Sequence, residues 1–266
     1  MSDDVPLARQ WSPLRRHGAD EPPRPHRQGI GIDAKAKSGT SCEIDLRCEF
    51  NITPTLGQTR GIPMPTIDLA FVLMGTTFPL DHGYSVFSAI SRIVPRIHGD
   101  RRIGIHPIRG RRIAPGILQL YDKSQLKIRL PSEEIAPYIA LAGQSLELDG
   151  HRIQVGIPRV DALIPAASLA SRIVTFKHAL IPEKCLEDIH RELERLEIKA
   201  NPEIAVSSQP AQAGKAIRRV MRIKDKKIVG FSIRVTGLSA EESIRLQEHG
   251  LGGRRRMGCG VFTPFR

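Results

Sequence analysis

Three histidines lie near one another in the chain, in a stretch that also contains arginines. His82 stands at the start of a segment with helical spacing, His98 follows that segment in "RIHGDRR" beside Arg101 and Arg102, and His106 lies inside "GIHPIRG". Because the pKa of an imidazole is near neutral pH, a histidine beside arginines on a loop is suited to proton transfer at a phosphodiester. His98 fits that description. For His106, within a predicted strand, a hydrogen-bonded structural role is the preferred interpretation.

A second candidate site is the segment "GLGGRRRMGCGVF", which runs from Gly250 to Phe262. Its glycines leave backbone N–H groups accessible, and its three consecutive arginines add guanidinium groups that bind phosphate well. A helix ends at this segment, so the positive end of a helix dipole does not contribute. The alternative is a helix C-cap followed by a solvated turn, and the local pattern does not decide between the two.

Two weaker motifs are set aside. The stretch "AGKAI" around Gly214 resembles part of a P-loop, but the first glycine of that motif is missing and Ala216 replaces its Ser or Thr. Cys42 and Cys48 lack the second pair of ligands that a metal site needs. The sequence therefore predicts neither a metal site nor a cofactor, and any phosphate chemistry is expected to proceed without a metal ion.

The charge of the chain indicates its class of partner. The net charge is +12, and beyond residue 60 there are 31 Lys and Arg against 20 Asp and Glu. Such a bias is typical of proteins that bind nucleic acid or an anionic membrane. No apolar run reaches the roughly 18 residues of a membrane span, and no signal peptide is predicted. Four cysteines without disulfide spacing favour a reducing cytoplasm.

The order of predicted elements favours two α+β domains after an extension. Residues 1–62 are rich in Pro, Arg, Gly and Ser and are predicted to be flexible, with one strand candidate in "CEIDLRCEFNI". Residues 63–158 show the order β-α-β-β-α-β with one more hairpin strand. The predicted segments are the strand "TIDLAFVLMG", a helix from an Asp81 N-cap to Pro95, the strands "RIGIHPI" and "PGILQLY" joined by a basic turn at 109–112, the strand "QLKIRL", a helix over 133–142 and a hairpin turning at Asp149-Gly150.

Residues 159–266 repeat this order. The predicted segments are the strand "RIVTFK", the helix "PEKCLEDIHRELERLEI", a loose linker over 201–214, a hairpin turning at Asp225-Lys226, a helix with a Ser239–Glu242 capping box that stops at Gly250, and a last strand in "GCGVFTP". Two such units predict tandem ferredoxin-like domains, each with two helices on one face of a sheet. The open sheet faces of a basic protein of this class suggest RNA as ligand.

Motifs in both halves resemble one family, the CRISPR-associated repeat-cleaving endoribonucleases of the RAMP superfamily. The residues that carry the resemblance are "FPLDHGYSVFSAISRIVPRIHG", "IGIHPIRG", "LKIRLPSEEI" and "HGLGGRRRMGCGVF", which are similar to the subfamily first described from myxobacterial-type type I systems. The resemblance spans residues 66–264. It implies an enzyme that cuts the repeat of a CRISPR precursor transcript into guide units without a metal, leaving a 5′-hydroxyl and a 2′,3′-cyclic phosphate.

The resemblance also implies roles for individual residues. The general acid or base of the family commonly follows the first helix, and "VPRIHGD" matches that pattern at His98, with His82 as the second candidate. The family often adds a Tyr and a Lys, but Tyr84 does not clearly match and no Lys follows His98. Arg101 or Arg102 is then expected to stabilise charge on the phosphate, and His82 to protonate the leaving 5′-oxygen.

Binding of RNA is assigned to two basic segments, the glycine-rich segment and the hairpin of the second domain. The predicted RNA-binding residues are Gly252, Gly253, Arg254, Arg255, Arg256, Gly258, Gly260, Arg218, Arg219, Arg222, Lys224 and Lys227. The expected partners are the CRISPR repeat RNA and other subunits of a type I effector complex. The alternatives are a non-catalytic subunit that holds guide RNA in an effector or transposon-targeting complex, and a general RNA-binding protein of ribosomal type.

Overall fold

A computed structural model describes residues 64–265 of the chain. The predicted flexible extension over 1–62, with its strand candidate and with Cys42 and Cys48, lies outside these residues. The described part contains four α-helices, two larger antiparallel sheets and one small sheet. No helix between residues 64 and 265 is long and apolar enough to cross a membrane.

The helices and strands follow in an order close to the predicted one. The helices are α1 (Gly83–Ile93), α2 (Ile135–Ile139), α3 (Pro182–Arg195) and α4 (Ala240–His249). The strands are β1 (Thr66–Met74), β2 (Thr77–Pro79), β3 (Gly104–Ile105), β4 (Arg111–Ala114), β5 (Ile117–Gln119), β6 (Gln125–Pro131), β7 (Ser145–Leu148), β8 (His151–Ala162), β9 (Ser168–Val174), β10 (Asn201–Ile204), β11 (Arg218–Ile223), β12 (Lys226–Thr236) and β13 (Thr263–Pro264).

The first fold is built on a five-stranded sheet in the order β3-β6-β1-β8-β7. Its central strand β1 pairs with β6 on one side and β8 on the other, both antiparallel. Leu69 and Phe71 of β1 are buried in one cluster with Ile90 of α1 and Tyr138 of α2. The inner four strands have the ferredoxin-like order, and β7 is the additional hairpin strand that the sequence predicts.

The second fold has the order β10-β12-β9-β13, with β11 paired to the first half of β12. Strand β10 lies inside the stretch 201–214, which is predicted from sequence to be a linker, and it completes the ferredoxin-like order by pairing with the second half of β12. A separate core contains Leu169 of β9, Ile189 of α3 and Leu246 of α4. The predicted class of two tandem ferredoxin-like folds is confirmed.

Some local predictions are confirmed and others need correction. Asp149 and Gly150 have φ values of 49° and 86°, as the predicted two-residue hairpin turn requires. The Ser239 hydroxyl accepts from the Glu242 N–H, and the Glu242 carboxylate accepts from the Ser239 N–H, so the capping box is present. The turn after β11 instead contains Lys224, whose φ is 53°, and Asp225, because Ile223 pairs with Lys226.

Three other differences lie in the first fold. The N-cap of α1 is His82 rather than Asp81. The predicted basic turn at 109–112 is partly strand, since β4 begins at Arg111 and turns through 115–116 into β5. Helix α2 covers only Ile135–Ile139, after a 3₁₀ turn at Ser132–Glu134.

Candidate functional site

His98 ends a short 3₁₀ turn, Pro95–His98, that directly follows α1. Its side chain is exposed, in contrast to Ile97 beside it, which is fully buried. The His98 imidazole meets the ring of Phe87 edge-to-face, with 5.1 Å between ring centroids and 77° between planes. The 3₁₀ turn after α1 thus presents an accessible imidazole, which contacts an aromatic ring of α1 on one side.

The two arginines after His98 have different surroundings. The Arg102 guanidinium donates to Asp100, with its Nη2 2.7 Å from Oδ2, and also to Glu133 and Glu134. Hydrogen bonding to Asp100 raises the pKa of Arg102 above its ordinary value, although some burial opposes this. Arg101 is exposed and has no ion pair within residues 64–265. Arg101 is therefore the more available cation beside His98.

His82 lies in a closed environment at the start of α1. It is 3% exposed, its Nδ1 is 2.9 Å from the carbonyl oxygen of Pro79, and its Nε2 accepts from the N–H of Ile108 at 2.9 Å. Because Nε2 accepts, the ring is neutral and carries its proton on Nδ1. Burial lowers the pKa of His82 to about 4. Both nitrogens are occupied, so the geometry favours a structural role for His82 over proton transfer to a ligand.

His106 belongs to a buried polar network between the two folds. Its Nε2 is 3.2 Å from Oδ1 of Asp68, which also accepts from Nε of Arg129 at 2.7 Å. Arg129 donates through Nη1 to the carbonyl oxygens of Gln247 at 3.0 Å and Phe262 at 2.7 Å. Burial would raise the pKa of Asp68, but hydrogen bonds and charges from His106 and Arg129 lower it well below its ordinary value.

The glycine-rich segment packs against β9 and uses its own N–H groups. The N–H groups of the four candidate glycines all donate within the protein: Gly252 to Oε2 of Glu192, Gly253 to the carbonyl of Thr175, Gly258 to that of Arg255 and Gly260 to that of Ile173. A Cβ added at Gly252 would come within 2.5 Å of the Thr175 oxygen, and one at Gly260 within 2.0 Å of the Leu251 oxygen. The N–H groups thus have partners inside the protein in place of the phosphate that the sequence suggests.

The three consecutive arginines of this segment point to three different environments. Arg254 is exposed and makes one long contact, 3.4 Å from its Nη1 to Oγ1 of Thr175. Arg255 is directed into the protein near Arg129, and burial lowers its pKa to about 10. Arg256 donates through Nη1 to the carbonyl oxygens of Ile97 and His98. Only Arg254 is left fully available to a phosphate.

The basic hairpin β11–β12 keeps its predicted cations on the surface. All five predicted cations are exposed: Arg218, Arg219, Arg222, Lys224 and Lys227. Asp81, which does not cap α1, accepts from the backbone N–H of Arg222 at 2.7 Å and so ties the hairpin to the first fold.

A cleft between the two folds contains a cation that is not evident from the sequence. Its lining includes Asp81, Arg172, Arg219 and Met257. Arg172 is exposed to solvent, yet partial burial in the cleft and the nearby Arg219 lower its pKa, while Asp81 raises it, so these charges lie close together. The alternation in "SLASRIV" predicts β9, but Arg172 and Arg219 are 47 positions apart and only the folded sheet brings them together.

Comparisons with known proteins agree with this architecture. A family model described as "Cas6 Crispr" matches residues 67–266. A CRISPR-associated endonuclease Cas6 from Myxococcus xanthus (strain DK1622) is 40% identical over 201 residues, which are 76% of this chain and 82% of that protein.

Three solved structures share the fold at low sequence identity. A CRISPR-associated protein Cas6 has a TM-score of 0.51 at 16% identity, covering 76% of this chain and all of that chain. A RAMP protein described as binding different RNA substrates has a TM-score of 0.54 at 17% identity, covering 76% and 99%. A Cas6-related protein from Pyrococcus furiosus has a TM-score of 0.52 at 17% identity, covering 76% and 98%. The family match and the Myxococcus relative confirm the resemblance seen in the sequence, and the chain belongs to the Cas6 family of CRISPR-associated proteins.

Proposed function

We propose that this protein is an endoribonuclease that cuts CRISPR repeat RNA, with His98 as its proton-transfer group. The observation that carries the proposal is the 40% identity, over 201 residues, to a protein named a CRISPR-associated endonuclease. The exposed imidazole of His98, in the 3₁₀ turn after α1, supports it, because a general base must be able to reach its substrate.

The proposed reaction is an attack within the RNA strand. His98 accepts the proton of the 2′-hydroxyl, the 2′-oxygen forms a bond to phosphorus, and the bond from phosphorus to the 5′-oxygen breaks. Water supplies the proton of the leaving oxygen, since neither ring nitrogen of His82 is free. The products are a 2′,3′-cyclic phosphate and a 5′-hydroxyl. Arg101 stabilises the charge that develops on the phosphate, and no metal takes part.

The RNA is proposed to follow the cations that the fold leaves exposed. These are Arg254, the hairpin β11–β12 and the cleft residue Arg172, all of which belong to the second fold. Each cation that contacts a phosphate releases a counterion, so affinity should fall steeply as salt concentration rises. Other subunits of a type I effector complex are proposed partners of the RNA-bound protein.

The test is single-turnover cleavage of repeat RNA in EDTA by the full chain and two variants. His98→Ala should bind the repeat as the parent does while its cleavage rate falls by at least about 100-fold, the usual contribution of a general base. His190→Ala removes another exposed imidazole, on α3, and serves as the matched control. The 3′ end of the upstream product should be a cyclic phosphate.

Other outcomes point to other functions. Tight binding of the repeat without cleavage by the parent protein favours the non-catalytic guide-holding subunit. Equal affinity for unrelated stem-loops favours a general RNA-binding protein. Undiminished cleavage by His98→Ala removes His98 from the mechanism, and loss of activity in EDTA contradicts metal independence.

A further inference from the structure

The turn that carries His98 receives hydrogen bonds from a distant part of the chain. Nη1 of Arg256 lies 2.6 Å from the carbonyl oxygen of Ile97 and also donates to that of His98. These two carbonyls end a 3₁₀ turn, where the last C=O groups have no partner within the helix. A cation at this end is also favoured by the helix dipole. Arg256 therefore fixes the backbone of the residue whose side chain is proposed to move the proton.

The same guanidinium reaches the aromatic ring against which His98 packs. The Cζ of Arg256 lies 5.7 Å from the centre of the Phe87 ring, within the range of a cation–π contact. Phe87 in turn meets the His98 imidazole edge-to-face. Arg256 thus contacts both supports of the imidazole: the backbone that carries it and the ring beside it.

Arg256 is itself held in a rigid segment. It lies in a 3₁₀ turn, Arg255–Met257, flanked by Arg254 at φ 65° and Gly258 at φ 84°. On either side of this turn the segment is bonded to β9 and to the residue that follows it: the Gly260 N–H donates to Ile173 and the Gly253 N–H to Thr175. The residue after Arg256, Met257, packs closely on the first residue of α1, Gly83. A Cβ added at Gly83 would come within 2.3 Å of the Met257 carbonyl oxygen. These contacts fix Arg256 relative to α1.

We propose that Arg256 is a positioning residue for His98, rather than a phosphate-binding residue like its neighbour Arg254. The inference rests on the proposed role of His98 in cleavage. The glycine-rich segment then has a second role, because it holds the first fold's imidazole in the orientation needed for the 2′-hydroxyl. Loss of the guanidinium leaves His98 chemically intact and misplaced, and misplacement by about 1 Å can cost on the order of 100-fold in rate.

The test compares Arg256→Ala, Arg256→Lys, Arg254→Ala and the double variant Arg256→Ala/His98→Ala. In single-turnover cleavage at saturating repeat RNA, Arg256→Ala should lower the rate about 10- to 100-fold, with a Kd within about twofold of the parent. Arg254→Ala should instead raise the Kd and reduce its dependence on salt. Arg256→Lys, which keeps a charged donor, should recover part of the rate. The double variant should cleave no more slowly than His98→Ala alone.

An NMR measurement on the free protein separates this inference from the proposed function. Ring current from Phe87 displaces the imidazole proton signals of His98, and Arg256→Ala should move them toward random-coil positions while Arg254→Ala leaves them in place. If the parent protein does not cleave RNA but the signals move, the proposed function fails and the positioning contact stands.

Three results would overturn the inference. One is unchanged His98 signals in Arg256→Ala. Another is a raised Kd with a normal rate at saturation, which identifies a phosphate contact. The third is a double variant that is slower than His98→Ala, which shows that Arg256 acts independently of His98. If Arg256→Ala does not fold, Arg256→Lys is judged by the same measurements.

Discussion

His98 and His82 carry the same chemical group, and their surroundings give them different uses. The His98 imidazole is exposed beside Phe87, whereas His82 is buried with a protein partner on each ring nitrogen. The Ile108 N–H that bonds to His82 would lack that partner if the ring were protonated. At the scale of single residues, burial thus separates an exposed histidine from one that joins β2 to the segment at Ile108.

His82 should make the stability of the protein depend on pH. Its pKa is about 4 in the folded protein, below the ordinary 6.5, so below pH 6.5 the unfolded chain binds a proton that the native protein excludes. Stability from this group is fully present above pH 6.5 and falls by roughly 3 kcal/mol as the pH drops toward 4. Urea unfolding at several pH values should show this slope in the parent and a smaller slope in His82→Gln. Equal slopes would contradict the assigned partners.

Arg101 and Arg102 should differ in their effect on cleavage. Arg102 already satisfies Asp100, Glu133 and Glu134, whereas Arg101 has no such partner in the described part of the chain. Arg101→Ala should therefore lower the single-turnover rate about 100-fold or more, as the loss of one charge-stabilising donor typically does, and Arg102→Ala should lower it less. A larger loss in Arg102→Ala would show that the carboxylates release Arg102 when RNA binds.

The position of His98 could be predicted from sequence because it depends on local features. Helical spacing up to Ile93 and the stop at Pro95 place the next histidine just beyond a helix end. The burial of His82 could not, since its partner Ile108 lies 26 residues away, and the predicted strand "RIGIHPI" that contains Ile108 is strand only at Gly104–Ile105 in the structure. The hydrogen bond from Arg256 to the His98 carbonyl joins residues 158 positions apart, and no pattern in either segment predicts it.

At the scale of elements, the glycine-rich segment is shaped by its packing on β9 and α1. The start of this segment could be predicted from sequence: Gly250 ends α4 as predicted, with a φ of 63°. Strand β10 could not be predicted, because it has only four residues and is formed by pairing with the distant β12. The structural need for glycine at positions such as Gly252 could not be predicted either, since the atoms that exclude a side chain there belong to a distant segment.

Substitution of two glycines should separate packing from RNA binding. Gly260→Ala would force a left-handed φ of 65° on alanine and bring its Cβ within 2.0 Å of a backbone oxygen. We expect a loss of about 2 kcal/mol or more and a fall of about 4 °C or more in Tm. Gly253→Ala, whose Cβ would meet nothing nearer than 3.9 Å, is the matched control and should change Tm little.

The opposite result would favour phosphate binding by the glycine-rich segment, the alternative that the sequence suggests. In that case Gly260→Ala keeps the parent Tm but loses affinity for repeat RNA. The lack of a side chain at Gly260 would then make room for RNA rather than for the Leu251 carbonyl. Thermal unfolding by circular dichroism and a binding titration on the same samples decide between the two.

At the scale of the whole molecule, Arg129 joins the two folds through one buried guanidinium. The side chain is 1% exposed, pairs with Asp68 in its own fold and donates to two carbonyls of the other, those of Gln247 and Phe262. The first carbonyl lies in α4 just before the glycine-rich segment, and the second belongs to the last residue of that segment. The same contacts that orient the two folds therefore also fix the segment from which Arg254 and Arg256 project, and this arrangement needs both folds at once.

Arg129→Met should accordingly be among the most damaging single changes in the chain. It leaves the Asp68 carboxylate buried without its main partner, which typically costs about 3–5 kcal/mol. Asp68→Asn combined with Arg129→Met removes the buried charge and should recover part of the loss. Arg159→Met, which breaks an exposed pair with Asp161 on β8, is the control and should leave the midpoint of urea unfolding nearly unchanged. If Arg129→Met behaves like that control, the guanidinium does not hold the folds together, and the rigidity ascribed to the glycine-rich segment must come from its other contacts, the hydrogen bonds of its glycines and its packing on α1.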